Sequence, residues 1–150
     1  MFEMIFDNMS KPINMGVVIR LACAAGSRLY FTGNSVDYRN RKALLSAAGY
    51  EELADVTYEK DFGGLVKRLK SEGKRIVGTS PHTDKIYTEP DYRGPTVFVF
   101  GNEGKGLSKE NMALVDDLVR IPMPGGIESL NVVTSAAIIL YEGLRQREFK

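Results

Sequence analysis

Several features are scarce in this 150-residue sequence, and each scarcity excludes a class of protein. The only cysteine, Cys23, cannot form a disulfide within the chain, and the only histidine, His82, has no Cys or His cluster with which to bind a metal ion. No apolar run reaches membrane-spanning length. The apolar start at 1–6 is followed at once by Asp7 and Asn8, so no signal peptide is expected, and we predict a cytoplasmic protein without a metal.

An excess of charge of either sign is also missing, because 20 Lys and Arg face 19 Asp and Glu, which leaves a net charge of +1. Bulk charge therefore does not indicate a nucleic-acid-binding protein, and any such surface must be local. Basic residues do concentrate in three stretches, each of which is either a set of phosphate contacts or a solvated helix face. These clusters are Arg39, Arg41 and Lys42; Lys67, Arg68, Lys70, Lys74 and Arg75; and Arg145, Arg147 and Lys150.

Short apolar runs alternate with helical patterns along the chain, which predicts an α/β fold with a mostly parallel six-stranded sheet flanked by helices. A hydrophobic content of 43% is typical of a globular protein, and residues 1–150 are expected to form a single domain. Strands are expected at 2–6, 28–31, 55–58, 75–79, 96–100 and 118–121. Helices are expected at 14–25, 39–48, 62–71 and 109–115, and a long apolar helix closes the chain.

The stretch from Ile121 to Leu144 is the most informative part of the sequence. A strand end is followed by a loop that contains two prolines and the pair Gly125-Gly126, which admits positive φ angles. A polar trio then opens the last helix: Glu128, Ser129 and Asn131. A glycine loop that leads into a helix leaves N–H groups free to meet a ligand. The helix is apolar almost all round, so we expect its own sheet to cover one side and another element or a second chain to cover the other.

A glycine-rich loop at 101–108 suggests a phosphate-binding site but fails the specific tests for one. A P-loop requires Gly-Lys followed by Ser or Thr, whereas Lys105 is followed by Gly106. The order of glycines also differs from a dinucleotide-binding fingerprint, and the preceding strand is the fifth rather than the first. A tight turn explains the glycines by itself, but it does not explain the carboxylate of Glu103 between them.

Arg20 is the only charged residue in the apolar helical run 17–25. Because an unpaired buried arginine is very unfavourable, Arg20 must reach solvent, pair with a carboxylate or line a cleft. Cys23 lies in the same run and is expected to be a buried structural thiol. His82 lies in a Ser-Pro-His-Thr-Asp loop and is expected to be solvated.

Three motifs together give the chain a close resemblance to the SpoU/TrmH group of the SPOUT methyltransferase superfamily. The first motif is Asn14-x-Gly16-x-x-x-Arg20, and the second is Gly101-x-Glu103-Gly104-x-Gly106-Leu107-Ser108. The third, and most specific, is Ile121-Pro122-Met123-x-Gly125-x-x-Glu128-Ser129-Leu130-Asn131-Val132. The resemblance covers nearly the whole chain, which is similar to the minimal single-domain form, in particular the TrmL (YibK) branch that methylates the wobble ribose of tRNA.

The resemblance implies a SPOUT fold with a C-terminal trefoil knot, which general topology rules disfavour and periodicity does not indicate. It also implies a homodimer with an active site near the interface, S-adenosylmethionine as the cofactor, and methyl transfer to a ribose 2′-hydroxyl of RNA, with tRNA favoured and rRNA as the alternative. A catalytically inactive RNA-binding protein and a relative that methylates a base nitrogen are two rival interpretations, and alkaline cleavage of the product would distinguish base from ribose methylation.

The resemblance also assigns roles to individual residues. The positions that match the family's cofactor pocket are Thr79, Gly101, Ile121, Met123, Ser129 and Leu130. The positions that match its catalytic set are Asn14, Arg20, Glu103, Ser129 and Asn131. Arg20 would act as general base or as stabiliser of the alkoxide, and we favour stabilisation because a guanidinium gives up its proton only at great cost.

Overall fold

The computed structural model describes Met1 to Lys150 and contains six strands and five α-helices. The strands are β1 (Glu3–Asp7), β2 (Arg28–Thr32), β3 (Val56–Tyr58), β4 (Arg75–Thr79), β5 (Thr96–Phe100) and β6 (Asp117–Val119). The helices are α1 (Pro12–Ala25), α2 (Arg41–Ala47), α3 (Phe62–Ser71), α4 (Lys109–Met112) and α5 (Val132–Gln146), and a single 3-10 turn spans Tyr50–Glu52.

All strands form one sheet in the order β3-β2-β1-β5-β4-β6, and every pairing between neighbours is parallel. The expected α/β class and six-stranded parallel sheet are therefore confirmed. The central strands β1 and β5 are buried along their whole length, including Glu3 and Asp7 at the two ends of β1. The C-terminal knot stays a prediction.

Alternate residues of the central strands contribute to two separate cores on the two faces of the sheet. Phe6 and Phe100 stack at a centroid distance of 5.0 Å in the larger core, which α1, α2 and α5 cover. Ile5 and Val99 point to the opposite face and pack against α3. The sheet is thus covered on both faces, and only its edges and loops are open to a ligand.

The ends of several elements differ from the expected ones because of contacts between distant residues. α4 ends at Met112 instead of Val115, since Asp116 exchanges two hydrogen bonds with Ile76 of β4, both at 2.8 Å. α1 begins at Pro12, so Asn14 lies inside its first turn and does not cap it. Asn14 is thereby available for another contact.

Two glycine positions are explained by close packing between elements. A Cβ atom on Gly16 of α1 would lie 2.2 Å from the carbonyl oxygen of Ala43, so this glycine permits α2 to pack directly on α1. A Cβ atom on Gly143 of α5 would lie 2.7 Å from the ring of Phe2, which precedes β1. Both contacts fix helices that carry motif residues against the sheet.

The last helix is covered by its own chain on one side only. Ala136, Ile139 and Leu140 are buried against the sheet within this chain, so they form the side of α5 that its own sheet was expected to cover. The outer side of α5 instead carries Tyr141, which is 43% exposed. None of the helices combines the length and the apolar character that crossing a membrane requires.

Candidate active site

The structure joins the three motifs at the carboxyl ends of the strands. The amide nitrogen of Asn131, from the third motif, donates to the amide oxygen of Asn14, from the first, at 3.1 Å. The carboxylate of Glu103, from the second motif, accepts hydrogen bonds from the N–H groups of Ser10 and Lys11, both just before α1. These bonds join residues that are 92 to 117 positions apart in the sequence.

Asn131 is oriented by its role as the N-cap of α5. Its amide oxygen accepts from the N–H of Val133 at 2.8 Å and, more weakly, from that of Thr134 at 3.3 Å. Since these bonds use the oxygen, the amide nitrogen must find another partner, which is Asn14. The cap predicted at this position is confirmed, and it couples the start of α5 to the first turn of α1.

The loop that carries Glu103 is held closed by its own backbone. Asn102 and Gly106 exchange two backbone hydrogen bonds, at 3.1 and 2.9 Å. A Cβ atom on Gly101 would lie 2.1 Å from the carbonyl carbon of Gly106, so this glycine is required by the loop itself. Outside the loop, the side chain of Asn102 donates to the carbonyl of Asn8 at 2.8 Å and ties the loop to the end of β1.

The carboxyl group of Glu103 is ionised, and all of its hydrogen-bond donors are uncharged groups. Burial raises the pKa of its carboxyl, but the N–H groups of Lys11, Glu103 itself and Ser10, together with the Ser10 hydroxyl, outweigh this and hold the pKa below its usual range. The carboxylate is therefore fully occupied by the segment that precedes α1. This geometry supports a positioning role and not direct contact with a substrate.

A buried carboxylate at the end of β1 was not identified from the sequence as part of the site. Asp7 is 3% exposed and accepts hydrogen bonds from the hydroxyl of Thr32 at 2.7 Å and the amide of Asn111 at 2.8 Å. No cation pairs with it. The signal in the sequence was the Asp-Asn pair directly after the most buried run of the first strand, where polar side chains cluster around ligand sites of parallel sheets.

Arg20 is exposed and lines a groove between α1 and α5. It makes no salt bridge, and its guanidinium lies 5.9 Å from the ring centroid of Tyr50. The groove has a volume of about 1060 Å³, and Asn14 and Asn131 also line it. Of the three sequence alternatives for Arg20, pairing with a carboxylate is wrong, and exposure at a cleft is confirmed.

Neither Cys23 nor His82 indicates thiol or metal chemistry, although Cys23 also lines the groove. Cys23 is half-buried rather than buried, its thiol donates to the carbonyl of Tyr50 at 3.4 Å, and burial raises its pKa. His82 is exposed in the loop after β4, as expected. The structure brings no three His, Cys, Asp or Glu side chains together in a way that could hold a metal ion.

The residues expected to bind the cofactor follow β4, β5 and β6 and do not line the groove. Thr79, Ile121, Met123 and Leu130 are half-buried, and Gly101 is buried. Ser129 is exposed, and its hydroxyl makes no hydrogen bond within the chain. The structure thus separates the expected site residues into two groups, with Asn131 at the end of one loop as the link between them.

The loop at 121–131 has free donors and free space, as a site for a nucleoside would require. The N–H groups of residues 127–131 donate to no acceptor in the chain, and a Cβ atom on Gly125 or Gly126 would meet no atom within 4 Å. Ile127 is 57% exposed beside these donors. Unused N–H groups next to exposed apolar surface fit an adenosine, which presents both hydrogen-bond acceptors and a flat ring.

Most side chains of two of the three basic clusters pair with carboxylates inside the chain. In the second cluster, Lys70 pairs with Asp116, Lys74 with Glu3, and the remaining arginines likewise bind carboxylates; only Lys67 has none. In the third cluster, Arg145 pairs with Glu142, while Arg147 lies 3.5 Å from the ring centroid of Phe2 and bonds two backbone carbonyls. Arg41 and Lys42 of the first cluster are exposed and have no carboxylate partner.

Comparison with known proteins identifies relatives along nearly the whole chain. The sequence model of the SpoU rRNA Methylase family matches residues 1–141. The chain is 34% identical over 145 residues to the 23S rRNA (guanosine-2′-O-)-methyltransferase RlmB of Pseudomonas aeruginosa, which covers 94% of this chain and 57% of that protein. It is 34% identical over 146 residues to the tRNA (guanosine(18)-2′-O)-methyltransferase of Escherichia coli, and the match covers 95% of this chain and 62% of that protein.

Solved structures with the same fold include members of the same family. The SpoU methyltransferase AviRb from Streptomyces viridochromogenes, in complex with AdoMet, superposes with a TM-score of 0.91 at 32% identity over 99% of this chain and 61% of that one. A structure solved to explain the 2-OH methylation of C/U34 on tRNA superposes with a TM-score of 0.91 at 26% identity. The superposition covers 99% of this chain and 97% of that one. The chain spans between 53% and 62% of the length of the curated relatives it matches.

Proposed function

The chain belongs to the SpoU rRNA methylase family, and we propose that it transfers a methyl group from S-adenosylmethionine to a ribose 2′-hydroxyl of RNA. One observation carries the proposal: the hydrogen bonds of Asn131 to Asn14 and of Glu103 to Ser10 and Lys11 bring all three motifs to one edge of the sheet. An unpaired arginine, Arg20, lines the groove that begins at this junction.

We assign the cofactor to the loops that follow β4, β5 and β6. Thr79, Ile121, Met123, Ser129 and Leu130 would surround it, and the free N–H groups at 127–131 would bind its polar atoms. Gly101 would contribute by closing its loop, because its Cβ position is filled by Gly106. When bound, S-adenosylmethionine supplies a methyl group already activated as a sulfonium, so the chain must orient the ribose and handle the hydroxyl proton. We propose that no metal takes part.

Arg20 would stabilise the negative charge that develops on the 2′-oxygen. It has no carboxylate partner to compete with the substrate, and a guanidinium carries its positive charge throughout the physiological range. Asn14 and Asn131 would position the ribose through the amide groups that they already orient for each other. Glu103 would fix the start of α1, and the free hydroxyl of Ser129 would contact ligand directly.

We favour tRNA as the substrate and keep rRNA as the alternative. The structure described as concerned with C/U34 of tRNA is covered over 97% of its own length, which supports the assignment to the tRNA wobble branch. RlmB and the rRNA name of the family support the alternative. A single domain, a cytoplasmic location and the trefoil knot belong to the same proposal.

Calorimetry and RNA analysis test this function directly. We expect the chain to bind S-adenosylmethionine in the presence of excess chelator and to transfer a labelled methyl group to bulk tRNA. The modified position should resist alkaline cleavage at the adjacent phosphate, as a 2′-O-methylated ribose does. Abolition of binding by the chelator would contradict the metal-free site, an alkali-sensitive product would indicate base methylation, and transfer to rRNA alone would select the alternative substrate.

We also propose that a second copy of the chain covers the apolar part of the groove. Ile13 and Val17 lie one turn apart on α1 and are 59% and 41% exposed, and Tyr141 of α5 and Leu53 after the 3-10 turn are exposed as well. Val17, Leu53 and Ala137 line the groove together with Arg20. Contiguous apolar surface of this kind marks an interface, and it adjoins the site.

Replacing Val17 by Asp should dissociate the dimer without unfolding the chain, because the side chain is exposed within one copy. We expect sedimentation of a dimer for the wild type at micromolar concentration and of a monomer for Val17→Asp. Leu45→Asp is the matched control, since Leu45 is 71% exposed on α2 and does not line the groove. A monomeric wild type, or equal dissociation of both variants, would contradict this interface.

A further inference from the structure

Tyr58, the last residue of β3, and Tyr38, in the segment after β2, form a partly exposed aromatic stack. The rings of Tyr38 and Tyr58 lie 6.1 Å apart between centroids with an interplanar angle of 17°. Tyr58 also contacts the ring of the core residue Phe31, at 5.4 Å. Tyr58 is 43% exposed although it is anchored in this way. We call Tyr38 and Tyr58 the tyrosine stack.

The hydroxyl group of Tyr58 is used inside the chain, so the ring is what the stack presents to solvent. The hydroxyl donates to the carbonyl of Val36 at 2.6 Å and accepts from the N–H of Tyr38 at 2.8 Å. Burial raises the pKa of Tyr58 to about 12, which keeps the hydroxyl protonated as a donor. Both bonds fix the backbone at 36–38 and hold the stack rigid before any ligand arrives.

Three cations without a carboxylate partner lie within four residues of the tyrosine stack in the sequence. Arg41 and Lys42 in the first turn of α2 and Lys60 after β3 are exposed and make no salt bridge. The nearby carboxylates are already engaged, because Asp37 binds Arg39 and Asp61 caps α3 by accepting from the N–H of Gly64. Segments 33–42 and 60–61 together contain four basic and two acidic residues, so this surface is locally positive.

The tyrosine stack is attached to the helix that carries Asn14. The Tyr58 hydroxyl lies 3.4 Å from the sulfur of Met15 in the first turn of α1. The hydroxyl of Ser46 on α2 donates to the carbonyl of Ile13 in the same turn at 3.0 Å. A ligand on the stack is therefore held in a fixed relation to Asn14, one residue away from both of these contacts.

We infer that the tyrosine stack binds an unpaired base of the RNA substrate, with Arg41, Lys42 and Lys60 contacting the flanking phosphates. This inference rests on the proposed function and names the form of RNA that the site takes: a single-stranded segment, such as a loop, and not a continuous duplex. Only an unstacked base can lie on an aromatic ring, whereas bases inside a helix are already stacked on each other.

The test compares Tyr38→Leu with Tyr38→Phe in the full chain. Tyr38→Phe keeps the ring and loses a hydroxyl that makes no hydrogen bond, whereas Tyr38→Leu keeps apolar bulk and loses the ring. The probe is a short labelled oligoadenylate that contains 2-aminopurine. We expect the leucine variant to bind it between about fivefold and a hundredfold more weakly, as loss of one base stack does, and the phenylalanine variant to bind like the wild type. The change in 2-aminopurine fluorescence should disappear with the ring.

Removing charge should act differently from removing the ring. Arg41→Ala combined with Lys42→Ala should lower the slope of log affinity against log salt by about 0.7 per residue, the value for single strands, and should leave the 2-aminopurine signal of the residual complex intact. Equal binding by the leucine and phenylalanine variants would overturn the inference. So would an equal loss of affinity for a duplex of the same length, or no measurable binding of the oligoadenylate by the wild type.

Two further measurements separate this inference from the proposed function. Cofactor affinity and melting temperature are recorded on each variant, and methyl transfer to bulk tRNA is recorded on the wild type. Transfer by the wild type with unchanged oligoadenylate binding in Tyr38→Leu would retain the methyltransferase and reject the stack. No cofactor binding and no transfer, with ring-dependent oligoadenylate binding, would reject the methyltransferase and retain the stack as an RNA site.

Discussion

Charged side chains are paired differently at the two edges of the sheet, the amino edge where the strands begin and the carboxyl edge where they end. At the amino edge, carboxylates pair with cations: the buried Glu3 binds Lys74 at 2.9 Å and also lies 3.7 Å from Arg28, whose main partner is Asp55. At the carboxyl edge, the carboxylates of Asp7 and Glu103 bind only neutral hydroxyl, amide and N–H donors. Most cations near this second edge are left without carboxylates, and Arg39, which binds Asp37, is an exception.

The unpaired cations follow the ends of the strands. Ten of the 20 Lys and Arg form no salt bridge, and seven of these ten lie directly after the carboxyl end of a strand or in the first turn of the helix that follows. These seven are Lys11, Arg41, Lys42, Lys60, Lys105, Lys109 and Arg120. The distribution explains how a chain with a net charge of only +1 has a surface that is locally positive.

Charged side chains at the amino edge stabilise the fold by pairing with each other, whereas those at the carboxyl edge remain available to a ligand. At the amino edge, cations and carboxylates pair with each other, so these charged groups are not free to bind a ligand. At the carboxyl edge, hydrogen bonds hold the polar side chains in place while the cations remain available, which is where ligands bind in parallel sheets. Substitutions that remove side chains from one edge at a time test this difference, and the largest effect is expected for Arg20.

Arg20→Ala should lower the single-turnover rate by about a hundredfold or more, as the loss of a focused electrostatic donor does. Arg20→Lys should recover little, because lysine keeps the charge but lacks the planar guanidinium. Melting temperature and cofactor affinity should hardly change, since Arg20 is exposed, forms no ion pair and does not lie in the cofactor loops. All three quantities are measured on the same sample.

Arg28→Ala is the control from the amino edge. Arg28 pairs with Asp55 at 2.6 Å, so its removal should lower the melting temperature and leave the single-turnover rate of the folded protein unchanged. The catalytic assignment of Arg20 would be wrong if Arg20→Ala bound cofactor and turned over at a near-normal rate. It would also be wrong if activity fell only in proportion to the folded fraction.

Two sets of three substitutions, matched in charge, compare the RNA contacts of the edges. Alanine at Lys105, Lys109 and Arg120 should lower the salt slope of RNA binding by about 2, since each phosphate contact contributes about 0.7 to 0.9. Alanine at Lys67, Arg68 and Lys70 removes the same charge, but Arg68 and Lys70 are already paired with Glu59 and Asp116, so the slope should change much less.

Salt titrations of tRNA binding, each with the cofactor affinity as a check on folding, measure this difference. The second set belongs to the densest basic cluster in the chain, for which the sequence alone left phosphate contacts and a solvated helix face as alternatives. Equal slopes for the two sets would show that position on the sheet does not matter and that the chain binds RNA by overall charge.

The sequence predicted the sheet more completely than the site. All six strands were expected within about two residues of their ends, because apolar runs that are buried on both faces are evident locally. The motif residues Asn14, Glu103 and Asn131 were identified through family resemblance. Their partners could not be, since the bond between Glu103 and Ser10 joins residues 93 positions apart.

At two places the sequence indicated close packing but not the neighbour, for the same physical reason. The resemblance places Gly101 in the cofactor pocket, and the structure shows that its missing side chain also leaves space for Gly106 of the same loop. The last helix was expected to be covered by the sheet and by another element or chain, and the structure shows that Ala136, Ile139 and Leu140 are buried within a single chain. In both cases the residue type was correct for close packing, and only the fold determines which neighbour is packed.

The smallest expected effect concerns how each edge lowers the pKa of a carboxyl. Asp117, the first residue of β6, resembles Glu103 in that burial raises its pKa and hydrogen bonds outweigh burial, so that the pKa is below its usual range. The donors differ in charge. Lys85 and Arg75 supply them at Asp117, whereas neutral backbone groups and a hydroxyl supply them at Glu103. Salt screens interactions between charges and leaves hydrogen bonds from neutral groups nearly unchanged.

Glu103→Gln and Asp117→Asn should therefore both destabilise the protein at neutral pH but respond differently to salt. Because each folded pKa is depressed, the stabilisation is complete above the unfolded carboxyl pKa and is lost as pH falls through the folded value. We expect each substitution to lower the melting temperature by about 2 to 4 °C at pH 7, equivalent to roughly 1 kcal/mol, and by less in acid. Molar salt should shrink the deficit of Asp117→Asn and leave that of Glu103→Gln in place. Melting curves at two pH values and two salt concentrations measure all four differences, and a Glu103→Gln deficit that salt removes would mean that a cation, and not the N–H groups before α1, holds the carboxylate.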